Sequence, residues 1–222
     1  MDDLRQRLEQ QNTARGREWG HLVTERLDAV LSEAGASVLD VGCASGVYVA
    51  RLQQTGRTCV GADLLMYRSW QQSDCRFVLS DARFLPFASE AFDTIISFET
   101  LEHVPGPEAA LREYHRVCRK NIIISVPNCD IPPEFARANM TFFHYTDRTH
   151  VNFYTLDTLR QMVEACGFRV VRAAPILPVT PALPLIASLG VPLRYASRLA
   201  RWIRKISPKQ YGMSLLVVAD KV

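Results

Sequence analysis

One stretch constrains the fold of this 222-residue chain more than any other: VLDVGCASGVYVARL, residues 38–52. Its apolar start ends at Asp40, the chain then passes through Gly42 and Gly46, and apolar residues return at helical spacing. This pattern predicts a strand, a tight glycine turn and a helix. Glycines let the backbone approach a ligand closely, and the free N–H groups at the start of a helix favour polar or anionic groups. We therefore expect a small ligand on this turn.

The residues of the turn argue against NAD as that ligand. The dinucleotide fingerprint Gly-x-Gly-x-x-Gly/Ala would need glycine where this chain has Ala44, and glycine or alanine where it has Val47. Asp40 before the turn would repel a pyrophosphate but would accept an ammonium group or a hydrogen-bond donor. Taken alone, the stretch also fits the strand, turn and helix of another doubly wound protein.

Two further acids follow predicted strands. Asp63 ends an apolar run, and in a Rossmann-type sheet this position lies beside the ribose of a bound nucleotide, where a carboxylate can accept both hydroxyls. Asp63 could also cap the next helix. Asp81 follows the next predicted strand, and a fourth strand covers roughly 92–98. The alternation of strands and helices through Asn128 predicts a parallel sheet with right-handed crossovers.

The segments LDVGCASG, GADL, SDARFLPF and FDTIISFETLEHV, with a strand ending in VPN, resemble the class I S-adenosylmethionine (SAM) dependent methyltransferases over about residues 19–168. The resemblance implies an α/β, Rossmann-like sheet of about seven strands with the last strand antiparallel and helices on both faces. It also implies SAM as cofactor, with Asp81 accepting from the adenine amino group. The cofactor-binding residues that it implies are Asp40, Gly42, Ala44, Gly46, Asp63, Leu64, Asp81, Ala82 and Phe98.

The candidate catalytic residues are Glu99, Glu102, His103 and His150. The first three share one face if the chain is helical there, so they are expected to converge beside the transferred methyl group. With His150 they resemble the Glu-x-x-Glu-His metal sites of small-RNA 3′-terminal 2′-O-methyltransferases. Two carboxylates and two imidazoles suit Mn²⁺, Fe²⁺, Co²⁺ or Zn²⁺ better than Mg²⁺. Two other interpretations stay open, because Leu-Glu-His-Val also occurs in related methyltransferases without a metal: His103 as a metal-free base or acceptor-orienting group, or a purely structural role.

Composition limits the class of protein. The net charge of +3 is too balanced for a general phosphate-binding surface, so nucleic acid is not indicated by bulk charge. Six scattered cysteines without a Cys-x-x-Cys pair predict reduced thiols, and the polar N-terminus lacks the apolar core of a signal peptide. These features predict a cytoplasmic protein with one domain over residues 1–222, of unknown oligomeric state.

Two segments flank the predicted core. Residues 1–34 are expected to be helical, and residues 173–210 to be a Pro-rich and basic helical insertion before the last strand. Five prolines between 173 and 193 make a membrane-spanning helix improbable there. Residues 194–209 alternate basic and apolar side chains, which predicts either a solvated basic face or a peripheral contact with a membrane or a lipid-linked substrate.

The function predicted from these features is SAM-dependent O-methylation of a small-molecule acceptor: a sugar, a lipid-linked intermediate, a quinone or a secondary metabolite. Methyl transfer needs no protein nucleophile, but a hydroxyl acceptor needs a base or a metal for its proton. One alternative is a metal-dependent RNA ribose 2′-O-methyltransferase, which the apparent lack of an RNA-binding module disfavours. Another is a non-catalytic SAM-binding partner subunit, which the intact motif acids do not favour.

Overall fold

The structure is a computed structural model that describes residue 6 and residues 20–137, 143–179, 182–206 and 210–222. Its α-helices are α1 (Thr24–Glu33), α2 (Val47–Gln53), α3 (Pro107–Val117), α4 (Pro133–Arg137), α5 (Leu156–Ala165), α6 (Ala182–Ser188) and α7 (Leu193–Ile206). Its strands are β1 (Ser37–Val41), β2 (Thr58–Asp63), β3 (Arg76–Leu79), β4 (Phe92–Phe98), β5 (Cys118–Pro127), β6 (Phe168–Val179) and β7 (Tyr211–Lys221).

The strands form a seven-stranded sheet in the order β3-β2-β1-β4-β5-β7-β6. The pairs among β1 to β5 are parallel, whereas β7 runs antiparallel to both of its neighbours. The predicted fold class is therefore confirmed. The strand order reverses between β1 and β4, and the crevice at the carboxyl ends of such strands is where open α/β sheets bind ligands.

Alternate residues of the central strands supply two cores on opposite faces of the sheet. Leu39 and Ile95 belong to one core, which α3 and α5 cover with side chains such as Leu111 and Leu159. Neighbouring residues of the same strands belong to the other core, which α1 and α2 cover. Both faces of the parallel strands are thus buried, as the apolar runs of β4 and β5 predict.

The predicted N-terminal helix is corrected at its start. Helix α1 begins at Thr24, and residues 20–23 are not helical. Gly20 has a φ of 135°, and the Val23 N–H donates to the Tyr48 hydroxyl at 2.9 Å, so this segment lies against the glycine turn instead of continuing the helix. Apart from Gln6, the earlier residues lie outside the described part of the chain.

The predicted start of the insertion at about 173 is wrong, because β6 continues to Val179. Pro175 pairs with Leu215, and Pro178 pairs with Gly212. An edge strand tolerates proline where the missing N–H would face away from the ladder, and β6 is such an edge. Helices α6 and α7 follow the strand. Among the described residues, no helix has the length and apolar character needed to cross a membrane.

Candidate functional site

A cavity of about 430 Å³ opens at the carboxyl ends of the parallel strands. Twelve of the thirteen predicted site residues line it: Asp40, Gly42, Ala44, Asp63, Leu64, Asp81, Ala82, Phe98, Glu99, Glu102, His103 and His150. The remaining one, Gly46, is the N-cap residue of α2, where an added Cβ would lie 2.5 Å from the Phe77 ring. Four separate strand ends therefore contribute to one site.

The glycine turn is held in a conformation that most residues avoid. Gly42 has a φ of 77°, and a Cβ there would collide with the Thr100 hydroxyl. Ala44, which stands where the dinucleotide fingerprint has its second glycine, has a φ of 47°. Its N–H donates to Asp63 Oδ2 at 2.8 Å, and its carbonyl accepts from Trp70 Nε1 at 2.8 Å. These two bonds stabilise the left-handed conformation that an alanine would otherwise disfavour.

Asp40 is the most deeply placed acid of the turn. It is 2% exposed, and its Oδ2 has no hydrogen-bond partner among the described residues. Burial, followed by the nearby charge of Asp63, raises the pKa of Asp40 to about 8. The carboxyl group is therefore mostly protonated at neutral pH, and a cationic ligand beside it would favour its ionised form. The ammonium group of an amino-acid moiety fits this requirement.

Asp63 shapes the glycine turn and also lines the cavity. It accepts the Ala44 N–H and, at 2.9 Å, the Leu65 N–H, so part of its function is to shape the turn. Burial raises its pKa to about 6, against the lowering effect of these hydrogen bonds. Each carboxylate oxygen has two lone pairs, so the side chain can still accept a hydroxyl from the cavity.

Asp81 forms a two-point ion pair with Arg83. Arg83 Nη2 lies 2.7 Å from Oδ2, and Arg83 Nε lies 3.0 Å from Oδ1. Burial acts to raise the pKa of Asp81, but the hydrogen bonds and charge of Arg83 outweigh it, and the pKa lies below its ordinary value. The carboxylate is thus ionised and fixed at the cavity wall beside Ala82, ready to accept one further donor.

Glu99 departs from the predicted arrangement. It has a φ of 51°, and only Leu101–His103 forms a short 3-10 turn, so the prediction of one shared helix face is wrong. Glu99 Oε1 accepts from Arg26 Nη2 at 2.5 Å and from Ser214 Oγ at 3.1 Å. Arg26 is buried and lies over the Phe98 ring. Glu99 therefore bonds to α1 and β7.

The other three candidate residues do come together. The ligating atoms of Glu102, His103 and His150 all lie within 4.8 Å of one another. The two imidazole rings meet nearly edge to face, with centroids 4.8 Å apart, and His103 Nε2 lies 3.9 Å from Glu102 Oε1. His150 Nε2 lies 4.0 Å from Asp147 Oδ2. His103 and His150 are almost fifty residues apart in the sequence but adjacent in space, because the loop before α5 packs on the 3-10 turn.

The protonation of this cluster follows from its contacts. His103 Nδ1 lies 3.1 Å from the Thr149 carbonyl oxygen, which can only accept, so Nδ1 carries the proton and Nε2 has a free lone pair. Burial, and then the neighbouring His150, lower the pKa of His103 to about 4. Glu102 is 1% exposed, and neither of its carboxylate oxygens has a hydrogen-bond partner in the described residues. Burial, and then the charge of Glu99, raise its pKa well above the ordinary value.

The three groups could together hold a transition-metal ion. Two imidazole nitrogens and one carboxylate suit Mn²⁺, Fe²⁺, Co²⁺ or Zn²⁺. The Thr149 carbonyl orients His103 as outer-shell acceptors orient metal-bound histidines. The unpartnered Glu102 carboxylate would gain the positive partner that its burial calls for. Glu99 lies outside this set, so a predicted ligand set of four is reduced to three.

Sequence reasoning missed Arg26 as a site residue. Its signal was a charged residue on the apolar face of α1, three residues after Val23 and four before Val30, both of which are buried. Asp147 and Ser214 were also missed, although both line the cavity. Their positions depend on how the loop before α5 and the start of β7 pack against the rest of the sheet, and no local sequence pattern predicts this packing.

Comparison with known proteins gives a consistent result. A family model described as a methyltransferase domain matches residues 10–173. The chain is 39% identical over 106 residues to methyltransferase GfsG of Streptomyces halstedii, covering 43% of this chain and 37% of that protein. It is 31% identical over 103 residues to a ubiquinone biosynthesis O-methyltransferase of Pseudomonas entomophila, covering 42% of this chain and 44% of that protein. The matches therefore span less than half the length of these two relatives.

Solved structures share the fold. A SAM-dependent methyltransferase from Archaeoglobus fulgidus superposes with a TM-score of 0.62 at 21% identity, covering 89% of this chain and 92% of that one. At this level of identity the likeness concerns the arrangement of the sheet and its helices.

Proposed function

Because this chain belongs to the class I SAM-dependent methyltransferases, with S-adenosylmethionine as its cofactor, we propose that it transfers the methyl group to an oxygen atom of a small-molecule acceptor. The acid-lined glycine turn supports the placement of the cofactor. Asp40 would face its ammonium group, Asp63 its ribose hydroxyls and Asp81 its adenine amino group. Gly42 and Ala44 would allow close approach of the backbone, and Leu64, Ala82 and Phe98 would contact the cofactor from the cavity wall.

The observation that carries the proposal is the free Nε2 of His103 on the cavity wall. The acceptor oxygen attacks the sulfonium methyl, the O–CH₃ bond forms as the S–CH₃ bond breaks, and S-adenosylhomocysteine leaves. The hydroxyl proton goes to His103 Nε2. Glu102 Oε1 lies 3.9 Å from His103 Nε2, so an ionised Glu102 carboxylate stabilises the imidazolium that forms. The two residues thus act as a coupled acid–base pair.

The cavity suits a small acceptor. Its volume of about 430 Å³ is within the range of single small-ligand sites, and the cofactor would take part of it. What remains would admit one small molecule, or the reacting end of a longer one, but not the body of a folded macromolecule. A relative named as a ubiquinone biosynthesis O-methyltransferase supports a quinol, and sugars, lipid-linked intermediates and secondary metabolites are the other classes we propose to test.

The test combines a panel of hydroxylated acceptors with one substitution. Release of S-adenosylhomocysteine is measured for catechols and quinols, sugars and polyketide alcohols, and the methylated atom of any product is assigned by NMR. His103→Gln should lower kcat by roughly 10²–10⁴-fold, the typical contribution of a positioned general base, while leaving the SAM dissociation constant unchanged.

The matched control is His115→Gln. His115 lies outside the cavity, beside the backbone carbonyl of Val222, so its loss should leave kcat unchanged. A product methylated on nitrogen or carbon would overturn O-methylation. SAM binding without turnover on any acceptor would instead indicate a non-catalytic SAM-binding subunit.

The cluster of Glu102, His103 and His150 favours a second candidate, a metal-dependent RNA ribose 2′-O-methyltransferase. These three residues would hold the ion, which would lower the pKa of the acceptor hydroxyl. We test it first by binding: titration of Mn²⁺ or Zn²⁺ into the chelator-treated protein should show one tight site that His150→Ala weakens and His115→Gln does not. RNA oligonucleotides with free 3′ ends are then the acceptors. If the wild type binds the metal no more tightly than His150→Ala does, the metal-dependent RNA methyltransferase is excluded, and the proposed methylation of a small molecule is unaffected.

A further inference from the structure

Helices α6 and α7 form a pair with a small core of their own. Ala182, Ile186 and Ala196 are buried in it, and this cluster is separate from the two cores of the sheet. Most of the other described side chains of α7 are exposed. The pair is thus attached to the sheet domain through β6 and β7 but packs mainly on itself.

The exposed surface of α7 contains two parallel stripes. One contains Tyr195, Leu199, Trp202 and Ile206, which are 50%, 43%, 60% and 62% exposed. The other contains Arg194, Arg198, Arg201 and Lys205, which are all exposed. Both sets follow the spacing i, i+4, i+7, i+11, so each lies along one side of the helix and the two sides are adjacent. An aromatic and aliphatic stripe beside a basic stripe is the pattern of helices that lie in a lipid–water interface.

The charge of this region differs from that of the rest of the chain. Residues 165–219 contain eight arginine and lysine residues and no aspartate or glutamate, a charge of +8. The whole chain carries +3, so the remaining residues together carry −5. Positive charge is therefore concentrated where the apolar stripe is exposed. This region therefore complements an anionic surface, whereas the acidic remainder of the protein would be repelled by one.

The strands on either side of the helical pair contribute to the cavity. Leu177, near the end of β6, and Met213 and Ser214, near the start of β7, line the cavity. These residues flank the segment that carries α6 and α7. A surface that bound α7 would therefore be connected to the acceptor side of the site through two short stretches of strand.

We propose that α7 binds the surface of an anionic lipid bilayer. Its stripe of Tyr195, Leu199, Trp202 and Ile206 enters the headgroup region, and its basic stripe contacts acidic headgroups. The inference extends to the substrate class, and this part rests on the proposed methyl transfer. The acceptor is a molecule held in the membrane, and it reaches the cavity past the strand ends that flank the helical pair.

The experiment uses the full chain and vesicles of phosphatidylcholine with or without phosphatidylglycerol. The protein should float with the anionic vesicles and remain behind with the neutral ones. Each basic side chain near an anionic surface strengthens binding roughly fivefold, so replacing Arg194, Arg198, Arg201 and Lys205 together by glutamine should weaken it by roughly 10²–10³-fold. Trp202→Ser should weaken binding to anionic vesicles as well.

Matched controls lie elsewhere on the surface. Arg51, Arg76, Arg112 and Arg160 are exposed, and their joint replacement by glutamine removes the same charge outside the basic region. Phe84→Ser removes an aromatic residue that is 71% exposed, as a counterpart of Trp202→Ser. Both control variants should float as the wild type does. Circular dichroism and SAM titration establish that every variant is folded.

Equal flotation with neutral and anionic vesicles would overturn the proposal, as would equal losses in the control variants. A dimer that Trp202→Ser dissociates, in a protein that does not float, would show that a second copy covers the stripe. A variant that still binds SAM and methylates a soluble acceptor but does not bind vesicles would affect only the membrane proposal and not the proposed methyl transfer. Vesicle binding with no faster methylation of a vesicle-borne quinol than of a soluble one would refute the substrate class.

Discussion

Replacement of Asp40 by asparagine should have opposite effects on stability and on cofactor binding. In the ligand-free protein the pKa of Asp40 is raised from its ordinary 3.8 to about 8, first by burial and then by Asp63. The unfolded chain releases this proton above about pH 4, whereas the folded chain keeps it until about pH 8. Asp40 therefore favours unfolding increasingly as the pH rises between these two values, and asparagine removes this effect.

The magnitudes follow from the same pKa. At pH 7 the raised pKa of Asp40 lowers the free energy of unfolding by at most about 4 kcal/mol, because each pKa unit corresponds to about 1.4 kcal/mol. At this chain length 1 kcal/mol moves Tm by roughly 2–4 °C, so Asp40→Asn should raise the Tm of the ligand-free protein by several degrees. SAM must bind the ionised carboxylate, so its affinity should rise with pH. Between pH 6.5 and 7.5 we expect a roughly fivefold gain, after allowing for deprotonation of the α-amino group of SAM near pH 7.7–8.0.

Calorimetric titration of SAM across this pH range, in buffers of different ionisation enthalpy, measures both the affinity and the proton released. The wild type should release most of one proton at pH 6.5, and Asp40→Asn should release none and bind SAM more weakly by about 1–3 kcal/mol. The interval stays above the pKa of Asp63, about 6, so that this second acid contributes little. A SAM affinity that is flat over this interval, or a rise that persists in Asp40→Asn, would refute the reasoning.

Three other substitutions test neighbouring parts of the site. Asp63→Ala should weaken SAM binding by about 1–3 kcal/mol because two ribose hydroxyls lose their acceptor, and an unchanged dissociation constant would remove Asp63 from the site. Gly42→Ala should abolish measurable SAM binding, since its φ of 77° and the adjacent Thr100 hydroxyl leave no room for a Cβ; near-normal titration would show that the turn tolerates the change. Glu102→Gln should raise the melting temperature more at pH 8 than at pH 5, because the folded state holds the Glu102 proton to a higher pH than the unfolded chain; an equal shift at both values would contradict the raised pKa.

The sheet could be predicted because its signals are local. Strand β4 is found at 92–98 as expected, since its apolar run is buried on both faces, and α5 begins after Thr155, whose side chain accepts the Thr158 N–H. The acids of the cofactor site were predictable for a related reason. Parallel strands end at one edge, so a residue's position at the end of a strand fixes its place in the site without any tertiary information.

The limits of β6 and α1 could not be predicted from local signals. Prolines 175 and 178 indicate a break in an isolated segment, and only the edge position of β6 makes them acceptable in a strand. The apolar spacing around residues 22–31 continues back past the real start of α1, where Gly20 and the Val23–Tyr48 hydrogen bond direct the chain to the cavity. In both places a tertiary contact overrides the intrinsic preference of the segment.

The backbone conformation of Glu99 places its side chain outside the cluster of Glu102, His103 and His150. The sequence predicts that Glu99 shares a helix face with His103, which would put two carboxylates in the same cluster. With a φ of 51° its carboxylate pairs with Arg26 instead, 2.5 Å from the guanidinium, and Glu102 is the glutamate that lies beside the two histidines. A non-glycine residue is kept in this conformation only when its surroundings compensate the strain, and here the hydrogen bonds of Arg26 and Ser214 do so. The two glutamates, only three residues apart, are still coupled, because the charge of Glu99 raises the pKa of Glu102 and the charge of Arg26 lowers it. Arg26→Gln should therefore raise the pKa of Glu102 further, so that Glu102→Gln raises the melting temperature at pH 8 more in this background than in the wild type; an equal gain in both backgrounds would contradict the coupling.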